Sequence, residues 1–342
     1  MMLKTDKQPE KKFKVFNEMY PLCAFMCAFS CILPNRTTTL KRFITITLVI
    51  SFNAGQLFWF ITYTFKCLYI LDIYNFARNM SLAVVVLLFF IKTYYVIYAT
   101  QKFADVLQWI SRDLLKGNDL SEDYQMIYLD HIKQGKLGEK LWLLMPSVIS
   151  AFYPLYAALC MGYESIQTDD FTRIMVHDME MLYVEDIQSE PPFFHIYFAY
   201  NCIQCVVLVA IYGFDGSFCI ATTHLRMKLK LMTHKLKKAY QDAKNPVELK
   251  AFVSAAISDH QDALNFYNVV QDLYEPWLFT LFLVTSFMIS FNLYQLYLLK
   301  RLDLKCAMFA VFGALHMFMP CHYAAELAKI CNGSPDDKIR VM

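Results

Sequence analysis

The sequence predicts an all-α integral membrane protein, a helical bundle with six visible transmembrane helices and a cytoplasmic N-terminus. Composition is the first reason, because 57% of the 342 residues are hydrophobic and 18% are charged, against about 45–50% and about 25% in soluble domains. Long stretches without charged residues are the second reason. The third is the uneven distribution of Lys and Arg among the segments that join these stretches. A net charge of +2 gives no indication of a nucleic-acid partner.

The spans follow from the length of the apolar stretches, since a membrane helix needs about 20 apolar residues. Most of these stretches carry no Asp, Glu, Lys or Arg, but one is interrupted by Lys92. We interpret the interrupted segment as one helix whose lysine faces the protein interior or reaches the inner membrane surface. The predicted spans are 43–65, 79–101, 141–163, 191–214, 277–299 and 306–325.

The charge of the connecting segments predicts the orientation. Lys and Arg outnumber the acids in 1–42 and in 226–250, whereas acids dominate 164–190. Basic loops favour the cytoplasm, so the N-terminus is predicted inside and 164–190 outside. One short loop disagrees, because it places Lys300, Arg301 and Lys305 outside.

The remaining segments are predicted to be cytoplasmic or membrane-associated. A short membrane-associated helix is expected within 1–42, a cytoplasmic helical anchor over 215–276, and a charged C-terminal tail over 326–342. We expect the basic helix of the anchor to continue the fourth span and to end at Pro246. Pro276 is expected to break or kink the chain before the fifth span, because the residue before a proline disfavours helical geometry.

Asp215 is the acid next to the inner end of an apolar run. It can cap a helix, pair with Lys92 or mark the membrane boundary, and we favour the last interpretation.

No enzyme, cofactor or metal site is predicted. The sequence contains no H-E-x-x-H, G-x-S-x-G, P-loop or G-x-G-x-x-G pattern, and each of these patterns serves a specific chemistry. His316 and His322 fall on different faces of a helix, which argues against a shared metal. An N-terminus inside, without D-R-Y after the third span, argues against a G-protein-coupled receptor.

Five short features occur in a fixed order along the chain. They are an N-terminal helix (Val15–Leu33), a lysine in the second span (Phe89-Phe90-Ile91-Lys92), an acid before a basic helix (Gly213-Phe214-Asp215), an H-Q-x-x-L helix (His260-Gln261-Asp262-Ala263-Leu264) and a Y-Q-L triplet (Tyr294-Gln295-Leu296). Their order resembles the insect odorant receptor family, seven-span ligand-gated channels, over roughly residues 15–330. The family's seventh span lines its pore. Only a charged segment follows Ala325 here, so we expect no seventh span; an incomplete gene model, a splice form or a truncation would each account for this.

The resemblance implies a tuning subunit in the plasma membrane of an olfactory neuron dendrite. It would bind a small volatile apolar ligand between helices, in the outer half of the membrane. It would then open a cation pore as a hetero-tetramer with the odorant receptor co-receptor, in contact with lipid. The predicted ligand-binding residues lie in the outer halves of four spans: Val86, Phe89, Phe90, Ser150, Tyr153, Ala157, Tyr197, Asn201, Phe312 and Leu315. Of these, Tyr153, Tyr197 and Asn201 can hydrogen-bond a ligand oxygen.

Three alternatives remain open from the sequence. A gustatory receptor-type channel has a similar layout but would work as a homomer. A polytopic transporter would be expected to show inverted repeats with broken spans in corresponding halves. A membrane enzyme would need a catalytic cluster within its spans.

Overall fold

The computed structural model describes residues 12–34, 39–167, 173–177, 179, 191–300 and 303–331, and these residues form helices without any strand. Arg301 and most of the acidic segment 164–190 lie outside the described residues. The helices are α1 (Phe16–Met19), α2 (Pro21–Phe29), α3 (Thr39–Tyr69), α4 (Ile73–Tyr98), α5 (Thr100–Lys116), α6 (Glu122–Gln167), α7 (Pro191–Ala210), α8 (Gly213–Asp242), α9 (Pro246–Leu299) and α10 (Leu304–Cys331).

Within the described part of the chain, six helical segments are long and apolar enough to cross a membrane. They are α3, α4, α6, α7 together with α8, α9 and α10. Many of their large apolar side chains are exposed, such as Phe43 and Phe279 at 67% and 70%. Lipid is the solvent that suits such surfaces. The prediction of an all-α membrane bundle is therefore confirmed.

Two predicted spans extend past the end of a helix, whereas the other four each lie inside one helix. The helix that contains most of 79–101 starts at Ile73 and ends at Tyr98. The segment 191–214 crosses a turn, because α7 ends at Ala210 and a new helix starts at Gly213. The basic helix is therefore set off from the fourth span by a turn rather than continuing it without interruption.

The two prolines of the predicted anchor behave differently. Pro246 occupies the first turn of α9, where its missing N–H would have no helical partner, and the Asn245 side chain caps this helix by accepting from Glu248 N at 2.9 Å. Pro276 lies inside the same continuous helix. The helix is therefore not broken at Pro276, whereas a kink there stays a prediction. A proline removes one backbone hydrogen bond, and buried neighbours such as Tyr274 and Trp277 hold the helix in place on both sides of it.

The N-terminal helices pack into the bundle rather than standing apart from it. Phe13 and Phe16 are buried against other helices, and Phe16 N donates to Ser111 Oγ at 3.0 Å. Cys23 N donates to Glu139 Oε2 at 3.0 Å. This anchors α1 and α2 to α5 and α6, within the same buried cluster as α8 and the first half of α9.

The two ends of the bundle are distinguished by the connections between helices. The turn from α3 to α4 lies beside the turn from α9 to α10, where the Tyr74 hydroxyl approaches Asp303 Oδ2 at 3.5 Å. The described part of the acidic segment is there too, because Lys305 Nζ donates to Val176 O at 3.4 Å. We call this the outer end, because the charge distribution predicts that it faces outside; the other is the inner end.

Candidate functional site

The candidate site is a cavity between α3, α4, α6, α7 and α10, toward the outer end. Its empty space, together with the part that is open to solvent, is about 590 Å³. Its walls are mainly aliphatic and aromatic, from Phe60 on α3 to Phe309 on α10. We call it the apolar cavity.

A few polar groups interrupt this apolar wall, and neighbouring residues position two of them. Gln204 Nε2 donates to Asn53 Oδ1 on α3 at 3.4 Å. The ring of Tyr153 packs edge-on against Phe309 at a centroid distance of 6.0 Å. Together with Ser150 and His177, they give the cavity a small number of groups that can orient a ligand.

His177 enters the cavity from the segment between α6 and α7. Its ring lies 5.5 Å from that of Phe60 and 5.4 Å from that of Tyr153. Its Nδ1 is buried and has no hydrogen-bond partner among the described residues. Burial, and to a smaller extent the nearby cations Lys305 and Arg78, lower the pKa of His177 to about 3. The imidazole is therefore neutral at ordinary pH.

Four of the ten predicted ligand-binding residues line the apolar cavity. They are Val86, Ser150, Tyr153 and Phe312. Phe89 lines a smaller neighbouring cavity of about 310 Å³, which also contains Lys92.

The other five predicted residues lie away from the cavity wall. Ala157 is fully buried, and Phe90 packs beside Phe89. Tyr197 is in a cluster with α3, where its ring meets Trp59 at 6.4 Å. Asn201 Nδ2 donates to the Tyr197 carbonyl at 2.8 Å.

Leu315, the last of the ten, is 43% exposed on the surface of α10. No ligand is present to test any of the ten, so their role in binding stays a prediction.

The structure adds lining residues that helix-face reasoning missed. Phe60 comes from α3, which gave no candidate, and His177 comes from a segment whose acidic composition indicates a solvated loop. Tyr212 lies in the turn between α7 and α8, at the inner side of the cavity. The only sequence signal for Tyr212 was its position directly before the Gly213-Phe214-Asp215 triplet.

A buried charge cluster lies directly below the cavity. The Lys92 ammonium forms an ion pair with Asp215 and stands 4.6 Å from the centroid of the Tyr212 ring. Trp277 Nε1 donates to Asp215 Oδ1 at 2.8 Å. His316 Nε2 lies 3.9 Å from Asp215 Oδ2.

Asp215 is thus 3% exposed inside the protein, and the interpretation that it marks the membrane boundary is wrong. Pairing with Lys92, one of the alternatives left open by the sequence, is what the structure shows. A carboxylate is buried only when it is paired and hydrogen-bonded, and Asp215 meets both conditions.

Comparisons with known proteins bear on both the family and the fold. The family model described as 7tm Odorant receptor matches residues 72–333, whereas no curated protein matches the chain. A structure of the insect olfactory receptor OR5 from Machilis hrabei in complex with eugenol is similar at 15% sequence identity and a TM-score of 0.68, covering 92% of this chain and 84% of that one. Another structure of the same receptor has 16% identity and a TM-score of 0.64, covering 92% of this chain and 81% of that one. At such identities the likeness shows the fold.

Proposed function

We propose that this chain, which belongs to the 7tm odorant receptor family, is a tuning subunit that binds a volatile apolar ligand in the apolar cavity. Binding would gate a cation channel in the plasma membrane of a sensory neuron. The channel would be a heteromer with the odorant receptor co-receptor, as the family resemblance implies.

The observation that carries this proposal is the composition of the cavity. Its wall presents aliphatic and aromatic side chains from five helices with only a few polar groups. A volatile molecule has little capacity for hydrogen bonds, so burial of its apolar surface must supply most of its binding free energy, at about 25 cal/mol per Å². A cavity with this mainly apolar lining suits such a ligand.

Tyr212 offers a physical route from ligand to channel. Tyr212 lines the apolar cavity, and the Lys92 ammonium lies 4.6 Å from the centroid of its ring. A ligand that displaces Tyr212 would therefore act on the cluster where α4, α8, α9 and α10 meet. Such a ligand opens the channel only if it binds the open arrangement more tightly than the closed one.

The test is expression in a heterologous cell with and without the co-receptor, with current recorded during application of a panel of volatile compounds. We expect odour-evoked cation current only when both chains are present. Current from this chain alone would favour a gustatory-type homomer.

Binding is measured separately, through ligand-induced thermal stabilisation of the purified chain, because it does not depend on channel assembly. If the purified chain binds no volatile compound and the cells give no current, the proposed function is wrong.

A further inference from the structure

A second cavity of about 390 Å³ adjoins the apolar cavity at the outer end. The two share the wall residues Leu82, Tyr153, His177 and Phe309. Apart from Val176 and Cys306, the rest of its lining is polar: Arg78, Ser81, Asn292, Gln295, Asp303 and Lys305. We call it the polar compartment. Nothing in the proposed binding of an apolar volatile requires it.

Contacts across helices fix several of these polar side chains. Gln295 Nε2 donates to Ser81 Oγ at 3.4 Å, and Gln295 Oε1 accepts from the Cys306 thiol at 2.7 Å. Lys305 Nζ donates to the Val176 carbonyl at 3.4 Å. The compartment is thus built by α4, α9, α10 and the segment that carries His177, and its polar groups are held in place before a ligand arrives.

Asp303 is the one acid among the described residues that line the compartment, and it already serves the fold. Asp303 Oδ1 accepts from Cys306 N at 3.2 Å, which caps α10, and Asp303 Oδ2 lies 3.5 Å from the Tyr74 hydroxyl. The cations have a larger donor capacity. Arg78 has five N–H groups and Lys305 has three, which makes them the strongest hydrogen-bond donors among the described residues of this lining.

The position of Lys305 also needs an explanation, because a lysine in a short outer loop runs against the usual distribution of positive charge. In the structure its ammonium is directed to the segment that closes the polar compartment. A role in ligand recognition accounts for this cation where membrane orientation does not.

We propose that the ligand is an amphipathic volatile with a carbonyl group, as in an aldehyde, a ketone or a carboxylic acid. Its carbonyl oxygen accepts hydrogen bonds from Arg78 and Lys305 in the polar compartment, and its carbon skeleton passes His177 to fill the apolar cavity. This inference rests on the proposed function and specifies the class of ligand.

A hydrocarbon of the same skeleton lacks this acceptor. It would displace water from the polar compartment without replacing the hydrogen bonds that the water made. The donors of the site would then be left unpaired, which weakens binding. His177 lies between the polar compartment and the apolar cavity, and because it is neutral, no charge has to be desolvated where the apolar skeleton passes it.

The experiment compares matched ligands on the purified chain by ligand-induced thermal stabilisation. The probes are octanal against octane and acetophenone against ethylbenzene, so that each pair differs only in the carbonyl oxygen. We expect at least one carbonyl compound to bind about tenfold or more tightly than its hydrocarbon. Lys305→Met and Arg78→Met should each reduce that preference. Lys329→Met, at an exposed inner position, is the matched control and should leave it unchanged.

Three outcomes are distinguishable. If the wild-type chain binds octane or ethylbenzene as tightly as its carbonyl partner, the inference is overturned while the proposed function stands. If both variants fold, as their unfolding temperatures report, and keep the full preference, the polar compartment does not hold the carbonyl and the inference is also overturned. If the wild-type chain binds no volatile compound of any class, the proposed function fails and the inference fails with it.

Discussion

The ammonium of Lys92 in α4 and the carboxylate of Asp215 in α8 form an ion pair inside the bundle, with side-chain exposures of 3% and 4%. Their positions are 123 residues apart in the chain. The Lys92 ammonium also faces the Trp277 ring of α9 at 5.0 Å, so three long helices meet around one pair of charges. Each charge depends on the other, because a buried ion without its partner keeps its full desolvation penalty.

Removing one member of this pair is therefore expected to be severe. Lys92→Met should lower the free energy of unfolding by about 3–5 kcal/mol, because it leaves the Asp215 carboxylate buried and unpaired. The double variant Lys92→Met/Asp215→Asn should recover a large part of that loss. Thermal unfolding of the purified chain and the amount of folded protein in the membrane measure both effects.

The control for this series is Lys230→Met, at a lysine that is 53% exposed in a weak surface pair and should cost no more than about 1 kcal/mol. The coupling would be contradicted if the free energy of unfolding lost in the double variant equalled the sum of the losses in Lys92→Met alone and in Asp215→Asn alone.

The fold could be predicted from the sequence because the signals for it are local. An apolar stretch of sufficient length predicts a span wherever it stands, and the order of five motifs indicated the odorant receptor family, which the family match from 72 to 333 confirms. The helix is not broken at Pro276, because the local preference of a proline is outweighed by the packing of a 54-residue helix. Lys92 and Asp215 were both noticed, but their pairing depends on how α4 and α8 pack, which no local pattern encodes.

The site was less accessible to sequence reasoning, because the wall of a cavity depends on helix rotation. Phe312 and Leu315 stand three residues apart in the sequence, yet Phe312 lines the apolar cavity and Leu315 is 43% exposed. His177 could not be found at all by reasoning about helix faces, since it reaches the cavity from a segment without regular structure.

The glycine that begins the Gly213-Phe214-Asp215 triplet has a steric role. A Cβ atom at Gly213 would lie 2.9 Å from the backbone nitrogen of Cys27 in α2 and equally close to Met26 Cβ. Backbone atoms cannot move aside as a flexible side chain can, so Gly213→Ala should displace α2 and cost about 1–3 kcal/mol.

The matched control for this change is Gly216→Ala in the same helix, where the nearest atom would be Trp142 Cβ at an ordinary 3.6 Å. Thermal unfolding of the two purified variants should separate them clearly. Equal stability of the two would refute the close approach of α2 to α8.

Filling the apolar cavity should reduce ligand binding without unfolding the protein. Val86 is 3% exposed and lines the cavity, so Val86→Phe places extra volume where the ligand would sit. We expect the concentration for half-maximal odour response to rise about tenfold or more for the larger active compounds, and less for the smaller ones. Dose–response curves on cells with equal surface expression provide the measurement.

Leu315→Phe is the corresponding control, since it adds volume on the exposed face of α10. It should leave the response unchanged. A strong effect of Leu315→Phe together with none of Val86→Phe would place the ligand outside the apolar cavity.

His177 should make stability, but not ligand binding, depend on pH between about 7 and 5. Its pKa is lowered to about 3 in the folded protein by burial and then by Lys305 and Arg78, whereas an unfolded chain has a histidine pKa of about 6.5. Below pH 6.5 the unfolded chain takes up a proton that the folded protein refuses, so His177 lowers stability progressively as the pH falls from about 6.5 toward 3. His177→Gln should remove that part of the pH dependence, and His322→Gln should not.

In contrast to stability, the binding of a neutral ligand to the folded protein should not depend on pH, because His177 stays neutral at both pH 7 and pH 5. The affinity for a neutral volatile, measured on folded protein at pH 7 and pH 5, should therefore be the same within about twofold. A permanent cation at this position has a different effect, since His177→Lys brings a third positive charge beside Lys305 and Arg78 and should weaken binding at both pH values. An affinity that falls severalfold by pH 5 in the wild-type chain but not in His177→Gln would mean that His177 becomes protonated in the folded protein and is less buried than the structure indicates.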